Sequence, residues 1–126
     1  MRSGIVCLLL ALLATPAVAD WVSMGMTEDG EGDVYLDPAT IRKDGTLRKV
    51  WELVDNKQGK LSGAMSSRTH MEYDCSAATR RNLTRTTHSG PMAGGNILMM
   101  GLEAGEWTPV APSSAAESAL KFVCGK

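Results

Sequence analysis

Three cysteines, two histidines, eight methionines and one close set of arginines are the residues of this 126-residue chain with chemistry to offer. Cys75 and Cys124 can join as a disulfide or act as thiolates. His70 and His88, with Met24, Met26, Met71, Met92, Met99 and Met100, are imidazole and thioether donors of the kind that suits Cu(I). Glu72 and Asp74, two apart on a strand, would share a face about 7 Å apart, and paired carboxylates can do acid/base work. Arg80, Arg81 and Arg85 offer a basic strip for a polyanion or an acidic partner protein.

Each of these has a plainer reading. Methionine commonly fills gaps in cores, and strand alternation separates His70 from Met71. Arg68 and His70 share the face of Glu72 and Asp74, which then reads as a solvated charged face. By the same alternation Arg81 and Arg85 share a face with Leu83 while Arg80 lies opposite, so the basic strip is narrow. Asp29 to Asp33 lacks the spacing of a calcium loop and reads as a hairpin turn. Neither Gly-x-Ser-x-Gly nor a paired Cys/His nucleophile is present. The residues therefore define no catalytic set, no fixed metal site and no cofactor, and a non-enzymatic role is expected.

The compartment decides what the cysteines do. Arg2, the apolar run Ile5 to Leu13, the break at Thr15-Pro16 and the site Ala17-Val18-Ala19 form the three parts of a cleavable export signal over residues 1–19. The apolar run is short of the roughly 20 residues that a spanning helix needs. Cleavage would remove Cys7 and Arg2. It would leave 126 less 19, or 107 residues, as a single domain over residues 20–126, with 12 basic against 14 acidic residues. That near-neutral balance argues against nucleic acid as a partner. In an oxidising compartment Cys75 and Cys124 are expected to pair. A free thiol pair and an intermolecular bridge are the alternatives.

The elements that would position these residues are short and mostly extended. Strands are expected at Trp21 to Met26, Asp33 to Asp37, Thr46 to Asn56, Ser66 to Cys75, Arg80 to Ser89 and Asn96 to Gly101. Asp37 and Pro38 read as cap and first residue of a single helical turn through Ile41. Asp44-Gly45 marks a tight turn, and Lys57 to Gly63 a polar loop. Thr46 to Asn56 is partly apolar on both faces, as a central strand would be, and Trp51 reads as a core anchor. Ser66 to Cys75 alternates cleanly and turns Cys75 inward. A closing helix starts at Ser114, with Glu117 completing a capping box. It carries Ala116, Leu120, Val123 and Cys124 on one stripe. Both sulfurs thus aim at one layer. A single sheet with one helix leaves apolar strand surface uncovered, so Val50, Val54, Ile97 and Met99 are candidates for a partner or homodimer interface.

The order of Trp21, Val34-Tyr35-Leu36-Asp37-Pro38, Val50-Trp51-Glu52-Leu53, Glu72-Tyr73-Asp74-Cys75, Gly94-Gly95, Trp107, Pro112-Ser113-Ser114 and Val123-Cys124 resembles the surface-adhesin protein E family of Gram-negative bacteria. The resemblance implies an α+β fold: a bent antiparallel sheet of about six strands with a C-terminal helix packed on it, joined by one disulfide. It also implies an exported binding or adhesion-type module that engages a protein partner. For the lipid-anchored adhesin of the family, the partners are host proteins such as laminin, vitronectin and plasminogen. This chain has Asp20, not a cysteine for lipid attachment, after its export signal, so a periplasmic location is expected ahead of the cell surface. A periplasmic binder of a small ligand or copper is the second expectation.

Overall fold

The computed structural model describes residues 20–57 and 63–125. The expected export signal over residues 1–19 and most of the expected loop from Lys57 to Gly63 lie outside the described residues. Seven strands form one antiparallel sheet: β1 (Val22–Met26), β2 (Gly32–Asp44), β3 (Leu47–Asn56), β4 (Ser66–Asp74), β5 (Thr79–His88), β6 (Ile97–Gly101) and β7 (Thr108–Pro109). β1 to β6 follow one another in order across the sheet, and β7 pairs with β5. Helix α1 (Ala115–Cys124) closes the chain.

Turn chemistry sets this meander. Gly45 adopts φ +59° in the two-residue link between β2 and β3, a conformation that costs glycine nothing. β3 and β4 pair without interruption from Leu47↔Asp74 to Asp55↔Ser66, so these two strands form the regular centre of the sheet.

The segment from Asp37 to Ile41 does not form a helical turn. β2 runs through Pro38, and its pairing with β3 jumps from Asp37↔Trp51 to Arg42↔Lys49. Residues 38–41 therefore bulge opposite Val50 alone. Proline has no N–H to give to the ladder, and a side chain fills the gap: Thr40 Oγ1 accepts from the Trp51 amide at 3.0 Å and donates to the Asp37 carbonyl at 2.7 Å. Asp37 keeps part of its expected capping role, since its carboxylate accepts from the Ala39 amide at 3.1 Å.

α1 lies on one face of the sheet over the β1–β4 half. Leu36, Val50, Met71, Tyr73, Ala119 and Val123 form the buried core, with Met24, Ile41, Leu120, Phe122 and Cys124 packed against it. Ser114 caps the helix by accepting from the Glu117 amide at 3.1 Å, and Glu117 reaches back to the Ser113 amide at 3.2 Å. The buried stripe centres on Ala119 and Val123 instead of Ala116, a small rotation that still turns Cys124 toward the sheet. Cys75 and Cys124 are bonded, with Cα atoms 5.8 Å apart and a separation of 49 positions in sequence.

On the opposite face a 3-10 turn at Pro91–Ala93 folds back over β3 and β4. The Ser66 hydroxyl ties it down, donating to the Gly90 carbonyl and accepting from the Ala93 amide, at 2.7 and 2.8 Å. Asp55 accepts from the Met92 amide at 2.8 Å.

Candidate functional site

Paired residues on neighbouring antiparallel strands point to the same face, so the registers sort the candidate residues into an outer face and a helix face. On the outer face Trp51 lies beside His70, their rings stacked 4.6 Å apart at 11°. The Arg68 guanidinium sits 4.1 Å from the Trp51 ring. Trp51 is therefore half-buried in a surface stack and is not a core anchor. Burial and the nearby Lys49 and Arg68 charges hold the His70 imidazole below its usual value, against a smaller opposing pull from Glu72. One row along, Arg81 bonds Glu72 at 2.8 Å and covers the Trp107 ring at 4.7 Å.

This arrangement separates the two carboxylates that spacing had placed together. Glu72 is buried and committed to Arg81. Asp74 caps a turn by accepting from the Ser76 and Ala77 amides at 3.0 and 3.2 Å. His88 shares a hydrogen bond with the Thr86 hydroxyl at 2.8 Å, and burial together with Arg68 lowers its pKa. Among the described residues no group of three or more His, Cys, Asp or Glu is placed to hold a metal ion.

The helix face holds a polar cluster that alternation alone did not single out. Glu52 lies between Val50 and Val54 and is buried beneath the start of α1. Its Oε2 accepts from the Tyr73 hydroxyl at 3.2 Å and faces Arg80 at 3.6 Å. Burial raises the Glu52 pKa, and Arg80, the Tyr73 hydroxyl and Arg85 offset only part of that rise. The Tyr73 phenol is pushed well above its ordinary value, first by burial and then by the Glu52 charge. With Ser114, Ala115 and Ala116, Glu52 and Arg80 line a small cavity of about 150 Å³. An acidic residue between two valines on the inward face of β3 was the signal for it.

The expected basic strip is divided. Arg80 pairs with Glu52 on the helix face, and Arg81 with Glu72 on the outer face. The β4–β5 register moves from Met71↔Asn82 to His70↔Thr84, leaving Leu83 as an extra residue. That bulge reverses the alternation, so Arg85, opposite Thr69, shares the face of Arg80 and not that of Arg81. A second bulge follows in β6, where His88↔Ile97 and Thr87↔Met99 leave Leu98 over.

Together the two bulges build a groove on the helix face, past the part that α1 covers. Arg85, Thr87, Ala64, Leu98, Met99 and Gly101 enclose about 420 Å³. A second hollow of about 340 Å³ continues from Ala64, Arg85 and Thr87 toward Val54 and Ser67. Of the four apolar interface candidates, Val50 is instead fully buried in the core under α1. Val54 lines the groove, while Ile97 and Met99 are 55% and 69% exposed on β6. β6 is exposed along its whole length, and Leu102 beyond it is exposed as well.

One open sheet, one tethered helix and a bare apolar edge define a small α+β scaffold whose accessible features are a face, a groove and a strand edge. The family model for surface-adhesin protein E matches residues 21–125. The chain belongs to the surface-adhesin protein E family. Its fold is similar to that of Haemophilus influenzae protein E in crystal form II, with a TM-score of 0.65 at 14% identity, covering 90% of this chain and 94% of that one. The selenomethionine form of the same protein gives 0.63 at 14%, over 90% and 94%. Protein E from non-typeable Haemophilus influenzae gives 0.59 at 13%, over 90% and 82%. No curated protein matches the chain at the level of sequence.

Proposed function

We propose that the chain is an exported, non-enzymatic adhesion-type module that engages a protein partner through the free edge of β6. One observation carries this reading. All five β6 residues are exposed, four of them are Ile97, Leu98, Met99 and Met100, and β6 ends the strand order. An edge strand that is apolar and unpaired invites another chain to pair with it, and natural sheets usually blunt such edges with charge or proline. β6 carries neither. Family membership supports adhesion as the class of function. The export signal, with Asp20 following it, supports a soluble module held in the periplasm ahead of a lipid-anchored one.

Binding of the purified, oxidised protein to immobilised laminin and vitronectin, followed by surface plasmon resonance, tests the reading. Saturable binding that disappears in an Ile97→Asp/Met100→Asp variant of unchanged melting temperature is the expected result. Binding that survives both substitutions removes the β6 edge from the interface. Sedimentation of the same two proteins tests a second copy as the occupant. A dimer that the variant converts to monomer would make β6 a self-pairing edge.

A further inference from the structure

We propose that the groove between β3 and β6 on the helix face binds a single-chain anionic amphiphile, its alkyl chain along Leu98 and Met99 and its head group at Arg85. This goes beyond the protein-binding edge, because it uses a face of the sheet and not its rim.

The argument begins with how the groove is made. Regular alternation would put Arg85 on the outer face with Arg81. The extra residue Leu83 turns it to the helix face instead. The extra residue Leu98 in β6 places two successive apolar side chains, Leu98 and Met99, along the same hollow. Bulges that re-aim side chains concentrate beside binding sites, and here two of them converge on one hollow. The two connected hollows, about 420 and 340 Å³, fall within the range of small-molecule sites.

Charge selects the head group. Arg80 is matched by Glu52 and Arg81 by Glu72, whereas among the described residues Arg85 makes no short ion pair and acts on the Glu52 charge only at longer range. Arg85 is the charged residue that lines both hollows; Asp29 lines the second hollow as well, so the first, with no acidic residue among its lining residues, is the one that suits an anion's tail. An anion there gains a partner that brings five N–H donors in a planar fork. Thr87, two residues further along β5, lines the same hollow.

Backbone bookkeeping selects the tail. The floor of the groove is formed by strands whose amides and carbonyls are already used in the β3–β4, β4–β5 and β5–β6 ladders. A peptide lying in the groove would bury its own amides without partners, a costly arrangement. An alkyl chain has no such groups. Met99 supplies an unbranched, polarisable wall that adapts to a flexible chain.

Titration calorimetry with dodecanoate below its micelle concentration tests the proposal, using the purified oxidised protein. Saturable one-to-one binding is expected, with dodecyltrimethylammonium at least about fivefold weaker because its head group meets Arg85 with the same sign. Arg85→Gln should weaken dodecanoate about threefold and Arg85→Glu about tenfold, the scale of one exposed charge pair removed or reversed. Arg81→Gln, on the outer face, should leave the dodecanoate affinity unchanged, although it costs stability by leaving the buried Glu72 unpaired. Three results would each overturn the proposal: no saturation, equal affinity for both head groups, or unchanged affinity in both Arg85 variants. Displacement of dodecanoate by an apolar hexapeptide at lower concentration than by decanoate would make the groove a peptide site and overturn it too. Binding at the β6 edge is scored separately by Ile97→Asp/Met100→Asp, so the two readings fail independently.

Discussion

Under α1 the sheet is closed, and two strands away it is bare. The covered half holds Leu36, Val50, Tyr73, Ala119 and Val123 at 0% exposure, a disulfide and a buried carboxylate. The other half ends in Ile97 to Met100, all exposed, although these side chains are no less apolar. The difference is one of cover. A ten-residue helix spans about 15 Å, and the disulfide fixes its C-terminal end over the Cys75 corner of the sheet. The apolar side chains of β6 are left without an intramolecular layer. Stability should therefore concentrate under the helix and binding at the uncovered strands.

The largest test of that division is removal of the tether. Cys75→Ser/Cys124→Ser opens a loop of 49 residues, which in the chain-entropy model costs about 4 kcal/mol. Urea unfolding should show a loss of that size, and the oxidised wild-type protein in dithiothreitol should show the same. A loss under about 1 kcal/mol would mean that packing alone holds α1 in place.

A smaller pair of substitutions sharpens the comparison. Leu36→Ala removes a fully buried side chain from beneath α1 and should cost about 3 kcal/mol. Met100→Ala removes a side chain that is 59% exposed on β6 and should change stability by less than about 0.5 kcal/mol. Equal costs at the two positions would mean that β6 is a structural part of the core and not a free surface.

Much of the covered half was legible in the sequence. Alternation from Ser66 to Cys75 turned one sulfur inward, and the capping box at Ser114 and Glu117 placed a helix that brought the other to it. Both signals are local, because a strand repeats every two residues and a cap sits within one turn. The groove depends on Leu83 and Leu98, each an extra residue in a ladder. A bulge of one residue has no compositional mark, and it exchanges the faces of everything beyond it. Reading Arg81 and Arg85 as neighbours failed for that reason. Asp37-Pro38 failed differently. Its local chemistry does suit a helix start, but the Thr40 hydroxyl bonds the Trp51 amide on the next strand, and nothing nearby in the sequence indicates that partner.

Glu52 provides the smallest and most specific test of what the covered half contains. Burial raises its pKa from the ordinary 4.5, with Arg80 and the Tyr73 hydroxyl opposing. The folded protein then holds this proton at pH values where the unfolded chain has released it. The stability linked to that proton is complete below the unfolded value of 4.5 and is lost as pH rises through the higher folded value. Glu52→Gln keeps the shape, can still accept from Tyr73, and has no proton to lose. Melting temperatures of both proteins between pH 4 and pH 8 should therefore diverge in one direction, with the variant gaining on the wild type as pH rises. A difference independent of pH would show that Arg80 fully compensates the buried charge. A difference that moves toward the wild type with rising pH would mean that the Glu52–Arg80 pair, 3.6 Å apart, outweighs the loss of water around the carboxylate.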